Sequence, residues 1–199
     1  MASNYYDPIV YANLPDFFQA KEFLSHYQSY IDDAGEIIKS YGVNGKIGIN
    51  LLHKHFNLLS DELLVRHIER DKIIIKPLRI GKIEVCAFSW AFAKKSIDAP
   101  YQLHPVEFIR KNDCPEWVGS INDFIGENSS FQNELFSYFS TKGLINYFGI
   151  GLNPRPLMKI EKNQTLMEED NHAERKLILN IVSIESIDHT ESTQTLWTF

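Results

Sequence analysis

Two histidines separated by one residue, His53 and His55 in the run LLHKHF, have the types and spacing that could bind a metal ion. If residues 46–56 form a β-strand, side chains alternate between its faces and both imidazoles project from the same face. Their Cα atoms would then lie roughly 6.5–7 Å apart, which allows both rings to reach one ion. An α-helix would place them about 200° apart around its axis and exclude a shared ion. The spacing therefore predicts a metal pair only if the strand forms.

A metal centre built on this pair needs at least one further ligand. Zinc sites use three or four protein ligands, and iron(II) sites often combine two histidines with one carboxylate. We predict Glu62 as the third ligand, with Glu107 as the alternative. In such a centre one carboxylate would act as general base on a metal-bound water. The cofactor itself is left open, with a divalent metal as the candidate.

Two ordinary core histidines are the competing interpretation, because a buried histidine usually finds backbone or side-chain partners for its ring nitrogens. His53, His55 and Glu62 resemble the first metal motif of the cupin barrels, which would imply a metal-binding β-barrel. Residues 56–61 separate the second histidine from the glutamate, a longer gap than that motif has. The second cupin motif, a Pro-x-Gly stretch with a downstream histidine, is not found, so we assign no family.

Other patterns of known chemistry are missing from the sequence. GVNGKIG lacks the spacing of a phosphate-binding loop, and no Gly-x-Ser-x-Gly nucleophile motif occurs. Cys86 and Cys114 are the only cysteines. They exclude a disulfide framework and suit a reducing compartment, while a single disulfide between them stays open. No enzyme class is indicated, and whether the protein is an enzyme is left open.

Composition and charge limit the class of partner. The net charge of −6 disfavours nucleic acid and acidic membranes as partners. The first residues show no secretory signal, and no run approaches the 18 apolar residues of a membrane span. We therefore expect a cytoplasmic protein without a membrane partner. Another protein is the favoured partner, and a small-molecule ligand is the alternative.

The elements that must position the histidines are predicted to form an α+β fold. We expect one globular domain over residues 1–199, with a mostly antiparallel sheet of about six strands. The two main helices are predicted over 15–41 and 130–142, where apolar residues recur at spacings of three and four, and Gly42 ends the first. A short helix is predicted over 60–69, because Ser60 precedes acidic residues in its first turn.

Two functions from different classes follow from these observations. The favoured one is a soluble intracellular binding or interaction protein without catalytic activity, which engages another protein through an acidic or aromatic surface. The alternative is a small metal-dependent enzyme or a ligand-binding barrel, with a metal held by His53 and His55. An enclosed polar cavity with a third ligand would favour the metal function. An exposed apolar patch ringed by charge would favour the binding function.

Overall fold

A computed structural model describes residues 6–27, 29–94, 96, 98–188 and 190–199. Its main element is a sheet of nine strands that curls into a half-barrel. The strands follow the order β7-β8-β3-β2-β5-β4-β6-β1-β9 across the sheet. Their bounds are β1 (Ile47–Leu51), β2 (Glu62–Glu69), β3 (Lys72–Arg79), β4 (Val85–Lys94), β5 (Tyr101–Arg110), β6 (Phe148–Leu152), β7 (Gln164–Asn171), β8 (Lys176–Ser183) and β9 (Leu196–Thr198).

Six α-helices accompany the sheet within the described residues. They are α1 (Pro8–Ala12), α2 (Phe17–Tyr27), α3 (Tyr30–Ser40), α4 (Glu116–Glu127), α5 (Ser129–Thr141) and α6 (Arg155–Met158). Helices α3, α4 and α5 contact strands β1, β4 and β5, respectively. None of the helices in this part of the chain has both the length and the apolar character needed to cross a bilayer.

The predicted sheet of about six mostly antiparallel strands with two main helices is wrong. The sheet has nine strands and is mixed, because β2 pairs with β5 in parallel while β2 and β3 pair antiparallel. The described residues form about 33% helix and 36% strand. The secondary-structure content is therefore roughly that of an α+β fold, with a larger sheet and more helices than predicted.

The helix predicted over 15–41 is two helices, α2 and α3. Asp32 and Asp33 lie in the first turn of α3, where carboxylates interact favourably with the helix dipole and stabilise a new start. Gly42 follows α3 with a φ of 69°, a conformation that favours glycine. The helix predicted over 130–142 corresponds to α5, whereas α4 was not predicted.

The helix predicted over 60–69 is wrong, because this segment forms strand β2. Leu63 and Val65 pack with the large core against the helices, while Leu64 packs into a second core on the other face. Both faces of the strand are thus buried, which is typical of an inner strand. A tight turn at Arg70, whose φ is 56°, connects β2 to β3.

The two cores lie on opposite faces of the sheet. The larger one includes residues of α3, α4 and α5 and covers the outer face. The smaller one includes Val10, Tyr11 and Leu14 from α1 and the residues after it, which cover the inner face of the curl. The inner face also carries a group of polar side chains, and these form the candidate site.

Candidate metal site

Strand register places Glu168 on the inner face of the sheet. Glu168 on β7 lies opposite Leu179 on β8, and Leu179 lies opposite Ile73 on β3. Residues paired across a ladder project from the same face. Leu179 and Ile73 both belong to the inner core, so Glu168 projects into the concave side of the half-barrel.

His53 and His55 follow β1, which ends at Leu51, earlier than predicted. The backbone N–H of Leu52 donates to the Tyr147 carbonyl at 2.8 Å, one residue beyond the ladder, and the chain then bends at His55. The two imidazole rings meet edge to face with centroids 4.4 Å apart. The expected convergence of the two rings is therefore present, even though the residues lie outside the strand.

Within the described part of the chain, one ring nitrogen of His53 is hydrogen-bonded and the other has no partner. Its Nδ1 lies 2.9 Å from the Leu51 carbonyl oxygen. A carbonyl can only accept, so Nδ1 carries the hydrogen and donates, which leaves the lone pair on Nε2. This Nε2 is buried and has no hydrogen-bond partner among the described residues. Metal-ligating histidines commonly show this arrangement, in which one ring N–H is held by a backbone carbonyl.

The curl of the sheet brings Glu168 to the histidines. β7 is the first strand across the sheet and β1 is the eighth, yet Glu168 Oε1 lies 3.4 Å from His55 Nδ1. One ligand atom each from His53, His55 and Glu168 lies within 4.8 Å of the other two. Two imidazole nitrogens and one carboxylate oxygen form a donor set that both zinc and iron(II) accept.

Burial determines the charge state of this group. It lowers the pKa of His53, and it lowers the pKa of His55 well below the usual value, with the charges of His53 and Arg66 adding to the effect. Both rings are therefore neutral at pH 7, the form in which histidine binds metals. Partial desolvation also raises the pKa of Glu168 to about 7, against the lowering effect of Arg66. Because 36% of the Glu168 side chain is exposed, solvent reaches the site from this side.

A buried ion pair lies beside the three candidate ligands. Arg66 Nε on β2 donates to Glu107 Oε2 on β5 at 3.0 Å, and both side chains are largely buried. The Arg66 guanidinium also stacks over the Phe88 ring, with its central carbon 4.5 Å from the ring centroid. Buried charges require such pairing, since an unpaired charge in this environment would be costly.

The candidate ligands and the ion pair line one small cavity of about 30 Å³. Asn50 and Ser89 add further polar groups to its wall, with Asn50 Nδ2 donating to Ser89 Oγ at 2.8 Å. A volume of this size holds an ion with one or two water molecules and excludes a large organic ligand. The cavity is thus polar and small.

Glu62, the ligand predicted from the sequence, lies apart from this group. Both of its carboxylate oxygens accept hydrogen bonds from Arg175, at 3.0 and 2.7 Å, and Oε2 also accepts from the Leu59 N–H at 2.8 Å. The hydrogen bonds from Arg175 are the main cause that lowers the pKa of Glu62. Its oxygens are committed to these donors, and the carboxylate that approaches the histidines is Glu168.

Glu107, the alternative ligand, does line the cavity, but Arg66 binds its Oε2. Sequence reasoning missed Glu168 altogether. The signal that could have revealed it is the period of two along β7, which places Leu166, Glu168 and Asp170 on one face, so that two carboxylates follow an apolar residue there.

Comparison of the chain with protein-family models, curated proteins and solved structures finds no match.

Proposed function

We propose that this protein binds a divalent transition-metal ion through His53, His55 and Glu168. The observation that carries the proposal is the buried Nε2 of His53, which has no partner among the described residues and belongs to the same three-residue group. A buried nitrogen lone pair without a partner costs free energy, and metal coordination would remove that cost. The neutral state of both imidazoles supports the same function.

A centre with three protein ligands leaves at least one coordination position for water or a substrate. Structural zinc sites are closed by four protein ligands, whereas catalytic sites keep a position open. Glu107 lies on the wall of the same cavity and would, under this proposal, be the carboxylate that could serve as general base beside the metal. Arg66 would orient Glu107 and offset negative charge during the reaction. The proposed class is a small metal-dependent enzyme, with hydrolysis as the simplest chemistry.

Metal titration of the purified chain tests the proposal. We expect one Zn²⁺ or Fe²⁺ ion to bind per chain, and we expect His53→Ala and His55→Ala each to weaken binding by at least about 100-fold. His172→Ala is the matched control, because this histidine is 76% exposed and does not belong to the group. Equal metal binding by wild type and the His53→Ala and His55→Ala variants would overturn the proposal.

A protein-binding function is our second proposal, supported by Phe18 on α2, whose side chain is 80% exposed. Exposed aromatic rings commonly anchor protein contacts. For a contact between copies of the chain, we expect association at high concentration that Phe18→Ser weakens, measured by light scattering. A concentration-independent monomer would exclude a second copy as the partner.

Location and other partners are proposed on more general grounds. We propose a cytoplasmic location, because Cys86 and Cys114 are both free thiols. A small ligand bound at the metal would have to fit the cavity of about 30 Å³ or enlarge it. The net charge of −6 argues against nucleic acid as a partner.

A further inference from the structure

The two cysteines of the chain meet on the outer face of the sheet, away from the metal site. Cys86 on β4 is 7% exposed, while Cys114 is half-buried in the segment that leads into α4. The Sγ atoms lie 2.8 Å apart, with Cys114 as donor and Cys86 as acceptor. This separation is shorter than the usual approach of two unbonded sulfur atoms. A bond between them would require little movement of either side chain.

Backbone hydrogen bonds hold the two residues in this arrangement. The N–H of Lys111 donates to the Glu84 carbonyl at 2.9 Å, which ties the turn after β5 to the residue before β4. The N–H of Cys114 then donates to the Lys111 carbonyl at 3.1 Å. The close approach of the sulfurs thus follows from the paths of two anchored backbone segments.

The neighbouring charge differs for the two sulfurs. Lys111 Nζ lies 3.9 Å from Cys86 Sγ, so Cys86 accepts from both the ammonium and the Cys114 thiol. Burial and the hydrogen bond to Cys86 raise the pKa of Cys114 to about 12. Cys114 is therefore a thiol at neutral pH, and we expect it to react slowly with oxidants.

We propose that Cys86 and Cys114 form a redox modification site, at which a peroxide creates an intramolecular disulfide between β4 and the entry to α4. Cys114, the more exposed of the two, loses its proton, and the resulting thiolate attacks a peroxide oxygen. The O–O bond breaks, and the departing hydroxide takes up the proton released by the thiol and leaves as water.

Cys86 then attacks the sulfenic sulfur of Cys114 and completes the disulfide. The S–O bond breaks, and the hydroxide leaves as a second water with the Cys86 proton. Two thiols have lost two protons and two electrons in total, and one peroxide has become two waters. A reducing dithiol reverses the change by thiol–disulfide exchange.

Peptide mapping of the full wild-type chain under non-reducing conditions tests this proposal. After treatment with hydrogen peroxide we expect one linked peptide that contains Cys86 and Cys114, with a mass lower by two hydrogen atoms. Dithiothreitol should separate the two peptides again. The oxidised chain should unfold at a temperature roughly 5–10 °C higher, because the disulfide restricts the unfolded state.

Cys114→Ser is the matched variant, since it keeps the size of a half-buried side chain and removes the partner sulfur. We expect it to form no linked peptide and to show no peroxide-dependent rise in unfolding temperature. The wild-type map decides the question even if a variant folds poorly. Separate sulfinic acids on the two cysteines, disulfides between chains, or two unreacted thiols would each overturn the proposal.

Discussion

Replacement of Glu168 by glutamine separates the ligand indicated by the structure from the one predicted from the sequence. The Glu168→Gln variant keeps the side-chain shape but removes the negative charge and one good donor oxygen. Loss of a group that only orients a ligand already costs 10- to 100-fold in metal affinity. Loss of the carboxylate itself should therefore cost at least about 100-fold, or roughly 2.7 kcal/mol in binding free energy.

Glu62→Gln is the matched control for this experiment. Glu62 is likewise a glutamate on a strand, but both of its oxygens are bound to Arg175 rather than directed to the histidines. We expect its metal affinity to stay within about threefold of wild type, since no ligand is lost. Loss of the contacts with Arg175 should instead lower the free energy of unfolding of the variant.

Competition with a chromophoric chelator at neutral pH measures the affinity of all three proteins for Zn²⁺. Circular dichroism and thermal unfolding of the metal-free proteins verify that each variant is folded. Glu168 would lose its role in the site if Glu168→Gln bound zinc like wild type while Glu62→Gln bound it at least 100-fold more weakly. The ligand set would then be the one that the sequence suggested.

Three further predictions concern stability. Zinc at 100 times its dissociation constant should stabilise the fold by about 2.7 kcal/mol, and calorimetry should show an unfolding temperature higher by roughly 5–10 °C. Gly149→Ala should destabilise the protein by about 1–3 kcal/mol in urea unfolding, because the new Cβ would lie 2.1 Å from the Trp90 carbonyl oxygen. Arg175 lowers the pKa of Glu62, so their contact contributes stability above pH 4.5 that is lost as the pH falls through the lowered value. The stability difference between wild type and Glu62→Gln should therefore shrink below pH 4.5, and urea unfolding across that range measures it.

The histidine pair could be recognised from the sequence because its geometry is local. Only one residue separates His53 from His55, so their rings stay close even where the ladder ends, with centroids 4.4 Å apart. Glu168 could not be recognised in this way, because its approach to His55 depends on the curl of the whole sheet. Sequence reasoning chose Glu62 since it lies near the histidines along the chain and resembles the glutamate of the first cupin motif.

The errors in the predicted elements have similar physical causes. Residues 60–69 carry a helix-start pattern of Ser60 and two acidic residues, but burial on both faces makes the segment a strand. The turn to the next strand uses Arg70 at positive φ, where glycine or asparagine would have signalled a hairpin. In both cases tertiary packing outweighed the local preference of the residues. The packing partners lie elsewhere in the chain, so the segment's own sequence does not show them.

The curled sheet has a mechanical consequence. The candidate ligands come from opposite sides of the strand order, with His53 and His55 beyond β1, the eighth strand, and Glu168 on β7, the first. A bound ion would thus connect two parts of the sheet, β7 and the segment after β1, between which the described residues form no ladder hydrogen bonds. Removal of the ion would release β7, which pairs only with β8 among the described residues, before it disturbed the inner strands. Backbone amides of β7 would then exchange with solvent sooner than those of β2 or β5.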